Sequence, residues 1–364
     1  MNRKLHKFWL MTSLSLALAL ANHAVSAEYT YVDLAPRDQT NSRAYSINDH
    51  DQIVGISGYG QYFDIARATV WSEGTTTYLD RVGSSARDIN NAGQITGSFY
   101  PSTTDSAIWD HGTKTSLSPN GEARAINESG QVVGYSGPLM RATTWIAGQP
   151  VDLGGLSGGR SSYAFDINNK GQIVGGADTG FGYSSTQHAV FWDNGTIIDI
   201  SKDFGKSSRA WAINDAGQIV GAGVAPGATI SRALYWASGY LAPVRLADLG
   251  SYSAGLAINE RGDIVGYSYL QGTSESHALL WRDGVMTDLN SFLDQATWDA
   301  GWRLTTALAI NNNGSIVGYA TQNGTGLAHA FLLSAVPEPG ALPLMLLGAG
   351  LMLVASARER GRRN

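Results

Sequence analysis

The sequence contains no cysteine. Disulfide bridges, cysteine-ligated zinc, iron–sulfur clusters and thiol nucleophiles are therefore excluded. Charge is sparse as well: Asp, Glu, Lys and Arg make up 15% of the 364 residues, well under the ~25% of an average globular chain. A charged helical bundle and a disordered chain both need more. Long apolar runs are missing except at the two ends. What is abundant is glycine, 44 of 364 residues, with 10 tryptophans and 16 tyrosines. This mixture favours many short strands joined by tight turns. The chain is also long enough to bury a core without disulfides.

The net charge of −5 is unevenly spread. Residues 1–27 carry Arg3, Lys4 and Lys7 without an acid, and residues 337–364 carry four arginines against Glu338 and Glu359. Setting these 7 basic and 2 acidic residues aside leaves 18 basic against 28 acidic, a net charge of −10 for the middle. Such a body repels phosphate, so no nucleic-acid partner is expected. The first segment reads as a secretory signal peptide: a basic start, an apolar run over 8–21, and small residues Val25-Ser26-Ala27 that place cleavage between Ala27 and Glu28. Export through the Sec translocon follows.

At the other end, Pro337-Glu338-Pro339 precedes an apolar stretch over 340–357, and Arg358, Arg360, Arg362 and Arg363 follow. The length suits one membrane-spanning C-terminal helix, and the arginines should stay cytoplasmic. The order of tripeptide, hydrophobic helix and arginine cluster resembles the PEP-CTERM sorting signal of Gram-negative bacteria, a tail also known as the ice-binding-protein C-terminal motif. The resemblance implies transient anchoring in the inner membrane, recognition of Pro337, Glu338 and Pro339 by an exosortase, and release to the cell surface or the extracellular (biofilm) matrix.

Between these ends an Ile-Asn pair recurs seven times, with the asparagines at 48, 90, 127, 168, 214, 259 and 311. Their spacings of 42, 37, 41, 46, 45 and 52 average near 44 residues. Each unit holds four strand-like pieces. In the fourth unit these are 164–167, 172–175, 188–192 and 197–200. The turn Asn-x-x-Gly after the first piece, as in Asn168-Asn169-Lys170-Gly171, suits a type I turn with glycine in the left-handed position. Unit one has Asp51 there. Four strands per ~44 residues is the period of a β-propeller blade. The last unit lacks its fourth strand, while Tyr31-Val32-Asp33-Leu34 stands as a spare before the first. The expectation is a seven-bladed β-propeller closed by the N-terminal strand, with a β-solenoid as the alternative fold. Domain bounds are 1–27 signal peptide, 28–335 repeat domain and 336–364 sorting and anchor segment.

The pieces His188-Ala189-Val190-Phe191-Trp192, His277-Ala278-Leu279-Leu280-Trp281 and His329-Ala330-Phe331, with Val151-Asp152-Leu153-Gly154-Gly155-Leu156 and the Ile-Asn turns, resemble the extracellular HAF-repeat family over residues 29–333. That resemblance implies a bacterial surface protein and brings no catalytic residues.

Chemistry is sparse in the repeats. His188, His277 and His329 are replaced at equivalent positions by Arg67, Arg141 and Arg232 and by Ser106. No metal ligand tolerates that exchange, which leaves a polar strand-edge role. Asp88 and Asp166 open calcium-like turns, but the other units lack the aspartate. The tryptophan row at 71, 109, 145, 192, 236 and 281 sits at one strand position and reads as packing between blades. Neither metal, cofactor nor catalytic residue is expected, so the chain is not read as an enzyme. Function belongs to the variable loops on one face, where Tyr59, Tyr62, Phe63, Phe181, Tyr183, Tyr269, Trp298 and Trp302 are the candidate ligand contacts. Aromatics beside Asp, Asn and Gln suit sugar rings. The expected function is binding of exopolysaccharide, or a structural role, outside the cell. The alternative is a polysaccharide hydrolase or lyase using an acidic pair at the mouth.

Overall fold

A computed structural model describes residues 29–35, 41–58, 65–100, 104–180, 186–202, 207–239 and 242–336. The signal peptide with Ala27 and Glu28, the Pro337, Glu338 and Pro339 motif, and the expected C-terminal helix lie outside the described residues. So do Tyr59, Tyr62, Phe63, Phe181 and Tyr183. Among the described residues, no helix is long and apolar enough to cross a membrane. Residues 31–334 form one compact unit, and the second, 1–30 with 335–364, holds only four described residues.

The compact unit is almost entirely β. Its exceptions are a 3₁₀ turn, Leu289–Phe292, and a short helix, Gln295–Asp299, each started by an aspartate side chain that accepts a backbone N–H. Five sheets have four antiparallel strands in chain order. One is Ser162–Ile167, Ile173–Asp178, Gln187–Asp193 and Thr196–Asp199. A sixth sheet has eight strands, because Asn41–Ile47 and Ala328–Ala335 are linked by a single parallel bridge, Asn41 to Ala328. The strand Tyr29–Asp33 also pairs with Ala328–Ala335, and Leu34 N–H donates to the Ala330 carbonyl at 2.9 Å.

Local chemistry explains each element. In the fourth unit's turn, Asn168 Oδ1 accepts from the N–H groups of Lys170 and Gln172, and Gly171 adopts φ +77°. Glycines take the same position in five other turns, and Asp51 takes it at φ +56° in unit one. Each second strand opens on three buried residues, and Ile53–Gly58 is buried throughout, whereas the fourth strands are mostly exposed or half-buried, Gln149–Asp152 being exposed at every residue. The six tryptophans of the repeat row are at most 5% exposed, and Leu333 fills the seventh place at 0%. Trp192 packs with Ile167 and Ile173 against Ala125, Val133 and Ala142 of the preceding sheet. At ~25 cal/mol per Å², an indole burying ~200 Å² contributes at most about 5 kcal/mol.

The histidines take the strand-edge role. His188, His277 and His329 place Nδ1 at 2.7, 2.6 and 2.9 Å from Asp199, Asp288 and Asp33. Arg141 and Arg232 reach Asp152 and Asp248 in the same way. In Asp33, Asp152, Asp199 and Asp288 the other oxygen accepts the N–H two residues on, and in Asp248 the oxygen that Arg232 reaches does so, so one carboxylate ties the third strand to the fourth and starts the loop after it.

Candidate functional site

The first strand of every unit contains a β-bulge at one position. The register slips between residues 44 and 46, 86 and 88, 123 and 125, 164 and 166, 210 and 212, 255 and 257, and 307 and 309. The extra residues are Tyr45, Arg87, Arg124, Phe165, Trp211, Leu256 and Leu308. A bulge re-aims a side chain that a regular pleat would bury in the sheet. The glycine of each second strand makes room for it. A Cβ on Gly55, Gly97, Gly134, Gly175, Gly221, Gly266 or Gly318 would sit 1.9–2.0 Å from a carbonyl oxygen of the first strand. The recurrent apolar-apolar-Gly or Ile-Thr-Gly strands and the bulges are therefore one device.

The bulged side chains meet one another around a common axis. The Arg87 guanidinium lies 4.6 Å over Tyr45, Arg124 lies 5.3 Å over Phe165, and Phe165 stacks on Trp211 at 4.5 Å. Arg87 and Arg124 share the buried Glu122 at 2.5 and 2.9 Å. Burial pushes the Glu122 carboxyl up, but the two guanidinium groups outweigh it and hold it below the ordinary range.

The two ends of the axis differ. Where the first strands end, each of the seven repeat asparagines, all at most 4% exposed, donates from Nδ2 to the backbone carbonyl of the next at 3.0–3.1 Å. Asn311 donates to Asn48. The following residues repeat the pattern one step outward. Each backbone N–H of Asp49, Asn91, Glu128, Asn169, Asp215, Glu260 and Asn312 donates to the next residue's side-chain oxygen at 2.7–3.1 Å, with Asn312 donating to Asp49. Four carboxylates thus ring this end. Just inside it, Asp88 accepts from Ser46 Oγ and Ile126 N–H, and Asp166 accepts from Ile167 and Ile213 N–H. Burial pushes the Asp166 carboxyl up to about 7, the bond from Ile213 opposes this, and the charge of Asp88 adds to it.

At the opposite end a cavity of about 790 Å³ opens, lined by Arg43, Tyr45, Tyr267, Tyr269, Glu275, Arg303 and Tyr319 among others. A hollow of about 290 Å³ beside it shares Leu256 and Tyr267 and adds Arg209 and Trp211. The Arg43 guanidinium stacks 4.7 Å over Tyr319, and Arg303 stacks 3.4 Å over Trp298. Burial, reinforced by Tyr269 and Tyr319, raises the Tyr267 hydroxyl above its ordinary pKa.

Three of the expected contact residues are described. Tyr269 lines the cavity, edge-on to Tyr252 and Tyr267. Trp298 is 36% exposed and covers Arg303 at the rim. Trp302 turns instead onto His329, with ring centroids 4.3 Å apart. Sequence reasoning missed Arg43, Tyr45, Arg303 and Tyr319. For Tyr45 the available signal was the variable position after the alanine of the recurrent first strand; for the others the sequence offered none.

No family model matches the sequence, and no curated protein matches it. Solved structures do. The β-propeller domain of the Trilobed protease from Pyrococcus furiosus, described as having an open velcro topology, aligns at TM-score 0.56 and 12% identity, over 82% of this chain and 94% of that one. An oligogalacturonate lyase in complex with manganese aligns at TM-score 0.54 and 10% identity, over 86% and 95%. An acylaminoacyl peptidase from Pyrococcus horikoshii aligns at TM-score 0.52 and 11% identity, over 81% of this chain but 51% of that one. At these identities the likeness establishes the fold alone: the chain is a β-propeller, not a solenoid.

Proposed function

We propose that this chain is an exported HAF-repeat propeller that binds polysaccharide at the axial mouth where its first strands begin. The observation that carries this is the 790 Å³ cavity, in which four tyrosines and two stacked arginines face one opening. Tyrosine offers sugar rings an apolar face and a hydroxyl partner on a rigid side chain. Binding is favoured over catalysis because Glu275 is the single carboxylate among the described lining residues, and acid–base hydrolysis of a glycosidic bond draws on two.

The scaffold is a propeller of seven blades, with the strand Tyr29–Asp33 as the outer strand of the last. Its support is the seam between Ala330 and Ser42. Ala330 N–H donates to Ser42 Oγ at 2.8 Å, as Ala142 does to Ser162, and Asn311 joins Asn48 as every other pair is joined. Export by the Sec translocon, brief anchoring in the inner membrane and sorting by an exosortase deliver it to the cell surface or matrix.

Two experiments test these statements. Affinity electrophoresis through the producing cell's exopolysaccharide should retard the purified chain, and Tyr269→Ala and Trp298→Ala should each relieve the retardation; unchanged mobility of both variants defeats the binding site. Fractionation of cells with and without an exosortase should move the protein from the surface to the inner membrane. Full-length protein in the inner membrane of both strains defeats the sorting.

A further inference from the structure

We infer that the polysaccharide held at this mouth is anionic, with carboxylates of uronic-acid type, an assignment that rests on the binding reading above and names its substrate class. The folded middle of the chain carries a net −10, yet its axis does the reverse. Arg43 and Arg303 line the cavity, Arg209 lines the hollow beside it, and Arg87 and Arg124 stand deeper along the same aromatic row. Against these five stand Glu122, taken up between Arg87 and Arg124, and Glu275, 3.5 Å from Arg303. Among the described residues the mouth itself, with Arg43, Arg209 and Arg303 against Glu275, is therefore positive by two on an acidic protein. Asp88 and Asp166 lie at the far end of the axis, beyond Arg87, Arg124 and Glu122.

The form of the positive charge matters as much as its amount. The Arg303 guanidinium sits 3.4 Å over the Trp298 indole, with Nη1 donating to the carbonyls of Trp298 and Trp302 at 3.0 and 2.8 Å. Arg43 lies on Tyr319. A guanidinium fixed by stacking has lost its rotamer freedom before the ligand arrives, and its planar fork fits the two oxygens of a carboxylate. A neutral sugar offers only single hydroxyl oxygens to the same groups. Tyr45, Tyr267, Tyr269 and Tyr319 supply the stacking surface for the rings that carry those carboxylates.

The test titrates the purified chain with three probes: a mixed pool of alginate and polygalacturonate hexasaccharides, the same pool after carboxyl reduction, and polyglutamate. The acidic sugars should bind about tenfold more tightly than the reduced pool, and added salt should narrow that gap. Arg303→Gln and Arg43→Gln should each weaken binding of the acidic pool about tenfold and leave the reduced pool unaffected. Arg209→Gln, on a more exposed side chain, provides a second variant should either of these fail to fold. Equal affinity for acidic and reduced sugars overturns the anionic assignment and spares sugar binding. Absence of binding to both pools overturns the binding reading as well. Polyglutamate bound as tightly as the acidic sugars overturns the assignment in favour of an acidic protein partner.

Discussion

Substituting the asparagine at the seam between the last and first units tests whether the sheets close into a ring. Asn168, inside the array, makes four hydrogen bonds: Nδ2 to the Asn214 carbonyl and Gln172 Oε1 at 3.1 and 2.9 Å, and Oδ1 from Lys170 and Gln172 N–H at 3.1 and 2.9 Å. Asn311 also makes four: Nδ2 to the Asn48 carbonyl and Asp51 Oδ1 at 3.0 and 2.9 Å, and Oδ1 from Asn313 and Ser315 N–H at 3.1 and 2.9 Å. Both are 4% exposed. Alanine at either site strands buried backbone groups, each costing ~1–3 kcal/mol, so about 3 kcal/mol is expected in total. At roughly 2 °C per kcal/mol for a domain of this size, the melting temperature should fall by about 6 °C for each variant. The assay is paired thermal unfolding followed by near-UV circular dichroism. In a closed ring the two falls are equal. Two of the four Asn311 bonds cross the seam and two lie within its own turn, so if Asn311→Ala costs only about half of what Asn168→Ala costs, or less, the seam is open and closure is wrong.

Other perturbations probe the bulge, the buried acid and the strand ties. Gly175→Ala puts a Cβ 1.9 Å from the Tyr163 carbonyl and should cost about 2–3 kcal/mol in denaturant titration, while Gly180→Ala, with open space around it, should change stability by less than about 0.5 kcal/mol. Asp166 titrates near 7 in the folded chain and near 3.8 in the unfolded one. The folded state then holds more protons between those values, so stability should fall as pH rises from about 4 to 7. Asp166→Asn should flatten that slope, and an unchanged pH profile would remove Asp166 as its source. His277→Arg should preserve the tie to Asp288 and melt close to the parent, as Arg232 does for Asp248, whereas His277→Ala should lose about 1–2 kcal/mol at pH 6. The bond to Asp288 raises the His277 pKa, so this loss should be fully present below about 6.5 and shrink as pH rises through the folded value.

The recurring parts of this protein were legible because each is written seven times. The Ile-Asn turns, the buried tryptophan row and the polar third-strand position all hold one chemical role in successive units. The partners of the histidines were legible too, since His188 and Asp199, His277 and Asp288, and Arg141 and Asp152 are each eleven residues apart. His329 breaks the spacing because its aspartate, Asp33, stands near the other end of the chain. The cavity was not legible, for a physical reason. A bulge is a relation between two strands, set by a carbonyl that only a glycine opposite can accommodate, and no single strand spells it. Tyr45, Arg87, Phe165 and Trp211 share no chemistry that marks their position in the sequence. Arg43 and Arg303 were hidden for the same reason, since alternation along a strand does not tell which side chains converge on an axis. Trp302 lies on the face chosen from the loops, but its indole is taken by His329.

The carboxylate belt at one end of the axis and the guanidinium well at the other give the molecule an electric polarity. Asp49, Glu128, Asp215 and Glu260 sit at the belt, while Arg43, Arg209 and Arg303 face the opposite opening. Near a polyanionic matrix such a body feels a torque before it feels a contact, and it turns its well toward the polymer. On the proposed function, capture would be one-sided, with the belt repelling a second strand from behind. A fibre coated with this protein would display carboxylates outward at every copy, replacing the polymer's own flexible charges with a fixed and evenly spaced set.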